Sequence, residues 1–148
     1  MRLTAYALGS IIRNEVTVAF HPEFEPEFDA LPEEVQDEFY AEASFVELMG
    51  PATARPHVDT LKGSVYPNMK ELRFEALNDE WRVAFAFDPK RIAIMLVAAG
   101  KTGISQNRFY KALIAKADAR YGRHLEDLKK QAKAEPAKKQ KAAKGRKK

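Results

Sequence analysis

The chain has 148 residues, 45% of them apolar, no cysteine and a formal net charge of +4. That length fits one domain with a real core, and the missing cysteine excludes disulfide staples, thiolate metal sites and a thiol nucleophile. His21, His57 and His124 show no metal-ligand spacing, no apolar run approaches transmembrane length, and residues 1–14, MRLTAYALGSIIRN, make a poor secretory signal. A cytoplasmic protein with no membrane association is expected.

The net charge hides a partition. Residues 129–148 hold ten Lys or Arg and a single Glu, whereas residues 15–59 hold twelve acids and one base. Residues 60–128 are basic again, with twelve bases against eight acids. A polyanion should therefore be drawn to the second half of the chain.

In chain order, residues 1–14 lack a clear period and read as an extension before the domain proper or, alternatively, as a short strand. Val16, Val18 and Phe20 alternate with Thr17 and Ala19, which suits a strand that His21-Pro22 ends. Phe24, Phe28 and Leu31 recur on one helical side, and Pro26 keeps that helix short. A longer helix follows Pro32, with Glu33 and Glu34 in its first turn, a buried stripe of Val35, Phe39, Val46 and Met49, and a stop at Gly50-Pro51. Residues 51–67 form a loop with a short strand or turn near Val58 to Leu61. Its Leu61-Lys62-Gly63-Ser64 lacks the spacing of a nucleotide-binding loop.

Three strands follow in a meander. Leu72, Phe74 and Ala76 alternate with Glu71, Arg73 and Glu75; Trp81, Val83, Phe85 and Phe87 form the apolar side of the second strand, opposite Arg82. The third, Arg91 to Ala99, is almost wholly apolar, as a strand covered on both faces would be. Turns at Asn78-Asp79 and Asp88-Pro89-Lys90 are short enough to require hairpins. Ser105 can cap a last helix with Phe109, Leu113, Ala117, Tyr121 and Leu125 on its buried side and Arg108, Lys111, Lys116, Arg120 and Arg123 on its polar side. That polar side is either a solvated face or part of a nucleic-acid footprint. The pattern ends near Lys129, and the lysine-rich remainder, almost without apolar bulk, is expected to be disordered when free and to attract phosphates without specificity.

The chemistry-bearing groups are those a small sheet gathers on its other face, opposite the large apolar residues, which is expected to be uncovered. Arg73 and Arg82 come from adjacent strands, and Lys101 ends the third. Lys70 shares the parity of Leu72 and reaches that face only from a bulge or strand end. Such cations suit phosphate chemistry. RNA carries its own nucleophile, so cleavage needs deprotonation of the 2′-hydroxyl, stabilisation of a phosphorane and protonation of the departing 5′-oxygen. Arginines serve the second need, and Lys70 or Lys101, Tyr66, Tyr110 or His57 could move protons. The plainer alternative is that Arg73 and Arg82 only pair with Glu71, Glu75 or Glu80.

The segment YPNMKELRFEALNDEWRVAFAFDPKRIAIMLVAAGKTG, followed by NRFYKALIAKADARYGRHLEDLK, resembles the phage-derived Gp49-like branch of HigB toxins in the RelE/ParE toxin superfamily. The resemblance spans about Val16 to Lys129. It implies an α+β fold, with two amino-terminal helices on a small, mainly antiparallel sheet and a long carboxy-terminal helix. The domain would occupy residues 15–128, between an extension over 1–14 and a basic tail over 129–148. It also implies the toxin of a type II toxin–antitoxin system, a ribosome-dependent endoribonuclease that cuts translated messenger RNA without metal or other cofactor. A helix-turn-helix, HigA-like antitoxin would neutralise it. Arg73 in ELR, Arg82 in WRV and Lys101 in GK match basic positions of the family pattern as catalytic residues, with Lys70 in support; Arg108, Lys111, Arg120 and Arg123 are the candidate RNA contacts. Two other functions fit the same residues: a ParE-like poison of DNA gyrase, and a non-catalytic RNA- or ribosome-binding module.

Overall fold

The computed structural model describes residues 16–147, with side chains through residue 134. The extension expected over 1–14 lies outside the described residues. The chain runs β1 (Thr17–Phe20), α1 (Glu25–Asp29), α2 (Glu33–Met49), a single 3₁₀ turn (Gly50–Ala52), β2 (Val58–Thr60), β3 (Lys70–Ala76), β4 (Asp79–Phe87), β5 (Ile92–Gly100) and α3 (Gln106–Lys147). The five strands form one sheet in the order β1-β5-β4-β3-β2; β1 runs parallel to β5 and every other pair is antiparallel. This is the α+β architecture that the family resemblance implies.

Both faces of the sheet are buried. On one, Phe24 and Phe28 of the α1 region and Val35, Phe39, Ala43 and Val46 of α2 pack with Leu72, Phe74, Val83, Phe85 and Met95. The predicted stripe of α2 holds except at its end, where Met49 is 43% exposed, because the helix stops and Gly50 turns away with φ of 57°. Gln36 joins the two helices, its side-chain amide donating to the carbonyls of Phe28 at 2.9 Å and Leu31 at 3.3 Å, which satisfies the open end of α1.

On the other face the expectation of an uncovered sheet is corrected. Phe109, Leu113, Ala117 and Tyr121 of α3 form a second core with Ala84, Ala86, Ile94 and Leu96. Strand β4 sends its large residues toward α2 and alanines toward α3, and those small side chains let the helix lie close to the sheet. Only the end of this face near the start of α3 stays accessible. The helix does not stop at Lys129, where the apolar spacing ends; its backbone is helical to Lys147, as an Ala- and Lys-rich composition favours. Residues 129–134 are exposed and add nothing to either core.

The two hairpins fix the register. Leu77 and Asn78, at φ of 54° and 58°, make the two-residue turn, one position earlier than expected, and both have the positive φ that a type I′ turn needs. Asp88 organises the second. Its Oδ1 accepts the N–H groups of Lys90 at 2.8 Å and Ile92 at 2.9 Å, and its Oδ2 meets His124 Nε2 of α3 at 2.8 Å. Asp88 itself is 5% exposed, so alanine there leaves a buried gap and removes the acceptor of three part-buried hydrogen bonds at once. We expect Asp88→Ala to lower unfolding free energy by about 2–3 kcal/mol, read as a shifted urea midpoint.

Candidate active site

The register places Arg73 directly opposite Arg82, both on the α3 side of the sheet, as Arg82 shares its parity with buried Ala84 and Ala86. Lys101 follows the end of β5. Its backbone N–H donates to the Glu80 carbonyl at 2.9 Å, and that of Thr102 to Asp79 Oδ1 at 2.9 Å. A Cβ at Gly100 would run into the Asp79 carboxylate, so any larger residue there would push Asp79 off its bonds to Thr102. Burial disfavours the charge on Asp79, but the bonds from Thr102 outweigh it and hold its carboxyl below the usual range. The Lys101 ammonium lies 5.1 Å from the Tyr110 ring centre and 5.8 Å from that of Phe109, a cation–π seat that aims it at the same spot.

These groups line a cavity of about 470 Å³, walled also by Arg55, Asp59, Lys62, Glu71, Glu80, Gln106, Asn107 and Tyr110. Five cations face three carboxylates there, a surplus of positive charge suited to an anion. Each arginine is also paired. Arg73 Nη1 donates to Glu71 Oε2 at 2.9 Å, and Arg82 Nη2 donates to Glu80 Oε1 at 2.9 Å. These two hydrogen-bonded pairs each run along one strand, two residues apart, and Arg82 also faces Glu71 of the neighbouring strand at 3.7 Å, so the paired arrangement and the shared site coexist.

Glu71 is the hub. It is 4% exposed, accepts a hydrogen bond from the Tyr110 hydroxyl at 2.9 Å on Oε1, and lies 3.7 Å from Arg82 Nε on the same oxygen. Arg82 Nε in turn donates to the Tyr110 oxygen at 3.3 Å. Burial raises the Tyr110 pKa, so the phenol keeps its proton at neutral pH. The result is a hydrogen-bonded arginine–tyrosine–glutamate cluster with Arg73 and Lys101 at its rim.

Other expected residues lie elsewhere. Lys70 does not line the cavity; it stands opposite Phe85, whose side chain is in the α2-side core, so its parity decides and no bulge turns it over. His57 stacks on Phe45 at 3.8 Å and bonds Glu42 at 2.5 Å, while Tyr66 sits edge-on against Tyr121. Of the three proton-transfer candidates outside the lysines, only Tyr110 is in the cavity. The proposed RNA contacts on α3 also divide. Arg108 rims a separate apolar groove with Ile104 and Lys116, and Lys111 is exposed. Arg120 is corrected as a surface contact: it is 5% exposed and donates to the Leu96 carbonyl at 2.7 Å and to Glu27. Arg123 is held by Glu23 at 2.7 Å. These two bind α3 to the α1 region, so the acidic first half and basic last helix neutralise each other there.

Sequence reading overlooked Arg55, Gln106 and Asn107, weighed Lys62 only as part of a nucleotide-binding loop, and saw Glu71 and Glu80 only as ion-pair partners. Arg55 carried a signal, being the single base in residues 15–59. Gln106 and Asn107 carried none, because their place depends on where α3 crosses the sheet.

The same contacts make the fold acid-sensitive. His21 is 4% exposed and its Nδ1 accepts the Glu23 N–H at 3.1 Å, so the folded ring is neutral and burial lowers its pKa. Arg120 likewise holds the Glu27 carboxyl below the usual range. The unfolded chain therefore binds protons that the folded one refuses, first at His21 below about pH 6.5 and then at Glu27 below about pH 4.5. Stability should be full above pH 7 and decline in those two windows as pH falls, measured by urea unfolding at each pH.

A five-stranded sheet with two helices on one face, a long helix on the other and a basic cluster at the open end is consistent with the RelE-like class. The family "Phage derived protein Gp49-like" matches residues 26–122, and the chain belongs to this Gp49/HigB-like family of the RelE/ParE superfamily. Among its relatives, the Mycobacterium tuberculosis (strain H37Rv) protein named "Putative toxin HigB2" is 41% identical over 98 residues, 66% of this chain. The match covers only 48% of that relative's length. A second from the same organism, named "Putative toxin HigB3", is 36% identical over 105 residues, 71% of this chain and 90% of the relative. No described helix is long and apolar enough to cross a membrane.

Proposed function

We propose that this protein is the toxin of a toxin–antitoxin pair and acts as a ribosome-dependent endoribonuclease on translated messenger RNA. The observation that carries this reading is the convergence of Arg73, Arg82, Lys101 and Tyr110 on one cavity with a surplus of positive charge. The names of two relatives, both called toxins, support the biological half of it.

In this mechanism Arg73 and Arg82 grip the scissile phosphate with forked donors and stabilise the charge that builds on its oxygens as the 2′-hydroxyl attacks. Lys101 neutralises the same charge from the other side. Tyr110, protonated and backed by Glu71, is placed to pass a proton between the reacting oxygens and the carboxylate. Few protein groups take part, so the ribosome supplies orientation by presenting the message in a bent, attackable form. Free RNA is then a poor substrate. The domain spans residues 15–128, and the lysine-rich segment 129–148 adds salt-dependent attraction to ribosomal phosphates. The partner that silences it is a helix-turn-helix, HigA-like antitoxin, and the site of action is the cytoplasm.

Product ends test the chemistry. Attack by the 2′-hydroxyl leaves a 2′,3′-cyclic phosphate (or its 3′-phosphate) and a 5′-hydroxyl, so message fragments from a treated translation extract should accept phosphate from a polynucleotide kinase without prior dephosphorylation. Fragments ending in 5′-phosphate would overturn the mechanism.

A further inference from the structure

Glu80 is the exposed member of the site. Its side chain is 56% exposed, while those of Arg82 and Lys101 beneath it are 5% and 20% exposed. One oxygen, Oε1, accepts from Arg82 Nη2 at 2.9 Å and stands 3.7 Å from Lys101 Nζ. A carboxylate oxygen thus occupies the place between two cations where a phosphate oxygen would sit. Glu80 also borders a second cavity of about 550 Å³ on the side of Pro56 and Phe74. The two cavities share Arg55, Arg73, Glu80 and Arg82 as walls, so the Glu80 side chain helps to partition what would otherwise be one basic groove.

We infer that Glu80 is an internal competitor for the phosphodiester, a mimic that holds the anion seat until a ligand phosphate displaces it. Among the described residues the Glu80 carboxylate is held by Arg82 and Lys101, both on the seat itself. Rotation about its own bonds carries the half-exposed carboxylate into solvent, and an incoming phosphate takes over its contacts with Arg82 and Lys101. Arg82 cannot follow, because its guanidinium is also tied to the Trp81 carbonyl at 2.9 Å and to Tyr110. Displacement therefore leaves a preformed two-cation seat and opens the partition, giving a strand of RNA a continuous path past Arg73. The inference rests on the proposed function for its biological meaning, though not for the anion seat itself.

The test uses the full chain, its Glu80→Gln variant and a Glu38→Gln control, which removes the same charge from the exposed surface of α2. Binding of a fluorescent RNA hexamer carrying 2′-O-methyl groups, which cannot be cleaved, is measured at fixed salt, together with cleavage in a translating extract and a thermal melt. Glu80→Gln should bind the hexamer about fivefold more tightly than either the parent or Glu38→Gln, as loss of one opposing charge beside the ligand predicts. Equal binding by the two variants would overturn the inference, as would weaker binding by a Glu80→Gln protein with a parental melt. Tighter binding without cleavage by any of the three proteins would sustain the anion seat and refute the nuclease reading. If Glu80→Gln melts early, Glu80→Ser under the same comparison decides.

Discussion

Arg82→Ala should be the most damaging single change at the site, lowering message cleavage by at least about 10²–10³-fold and unfolding free energy by about 3–5 kcal/mol. Both losses have one cause. Arg82 is 4% exposed and its guanidinium meets Glu80, the Trp81 carbonyl, Tyr110 and, at 3.7 Å, the buried Glu71. Alanine removes the phosphate ligand and leaves the Glu71 carboxylate buried with less positive charge beside it. Lysine at this position keeps the charge but cannot make the forked contacts, so cleavage should fall more than stability. Urea unfolding and a single-turnover cleavage assay separate the two quantities.

Arg120→Ala should produce a loss of the second kind alone. Its guanidinium bridges the Leu96 carbonyl and Glu27, and its Nε, without a hydrogen-bond partner, lies 3.7 Å from Glu23. Removing it unties α3 from both β5 and the α1 region, and frees a buried carbonyl. The expected cost is about 2–4 kcal/mol, less than for a fully buried pair because Glu27 is 42% exposed. Cleavage per folded molecule should be unchanged, because Arg120 does not line the Arg73 cavity. A loss of activity at constant fold would return Arg120 to the RNA-contact role that its place on a basic helix suggests.

The contrast between these two arginines shows how far the sequence could be read. Period-two alternation in β3 and β4 was enough to put Arg73 and Arg82 on one face, because a strand leaves only two choices and antiparallel pairing then aligns them. It also told against Lys70, whose parity the structure obeys. Helix α3 offered weaker guidance. Its four-residue apolar spacing gave the buried side, yet Arg108, Lys111, Arg120 and Arg123 on the remaining side meet quite different surroundings, since the crossing of helix over sheet decides which cations reach carboxylates. The same crossing hides the face of β4 that carries Ala84 and Ala86, which read as open because the large apolar residues lie on the opposite face. Glu71 was legible only as a partner of Arg73; its burial under Tyr110 is a tertiary fact with no local signal.

The most direct measurement compares the parent protein with Arg73→Ala in a translating extract, mapping message 5′ ends while pelleting ribosomes to score binding. Arg73 is 25% exposed and its buried partner Glu71 keeps Tyr110 and Arg82, so alanine should cost about 1–3 kcal/mol and leave the protein folded, which urea unfolding checks. The nuclease reading predicts discrete new 5′ ends with the parent, their loss by about 100-fold or more with Arg73→Ala, and ribosome binding reduced far less. Cleavage and binding that fall together, or intact messages beside trapped breaks in DNA, would contradict it.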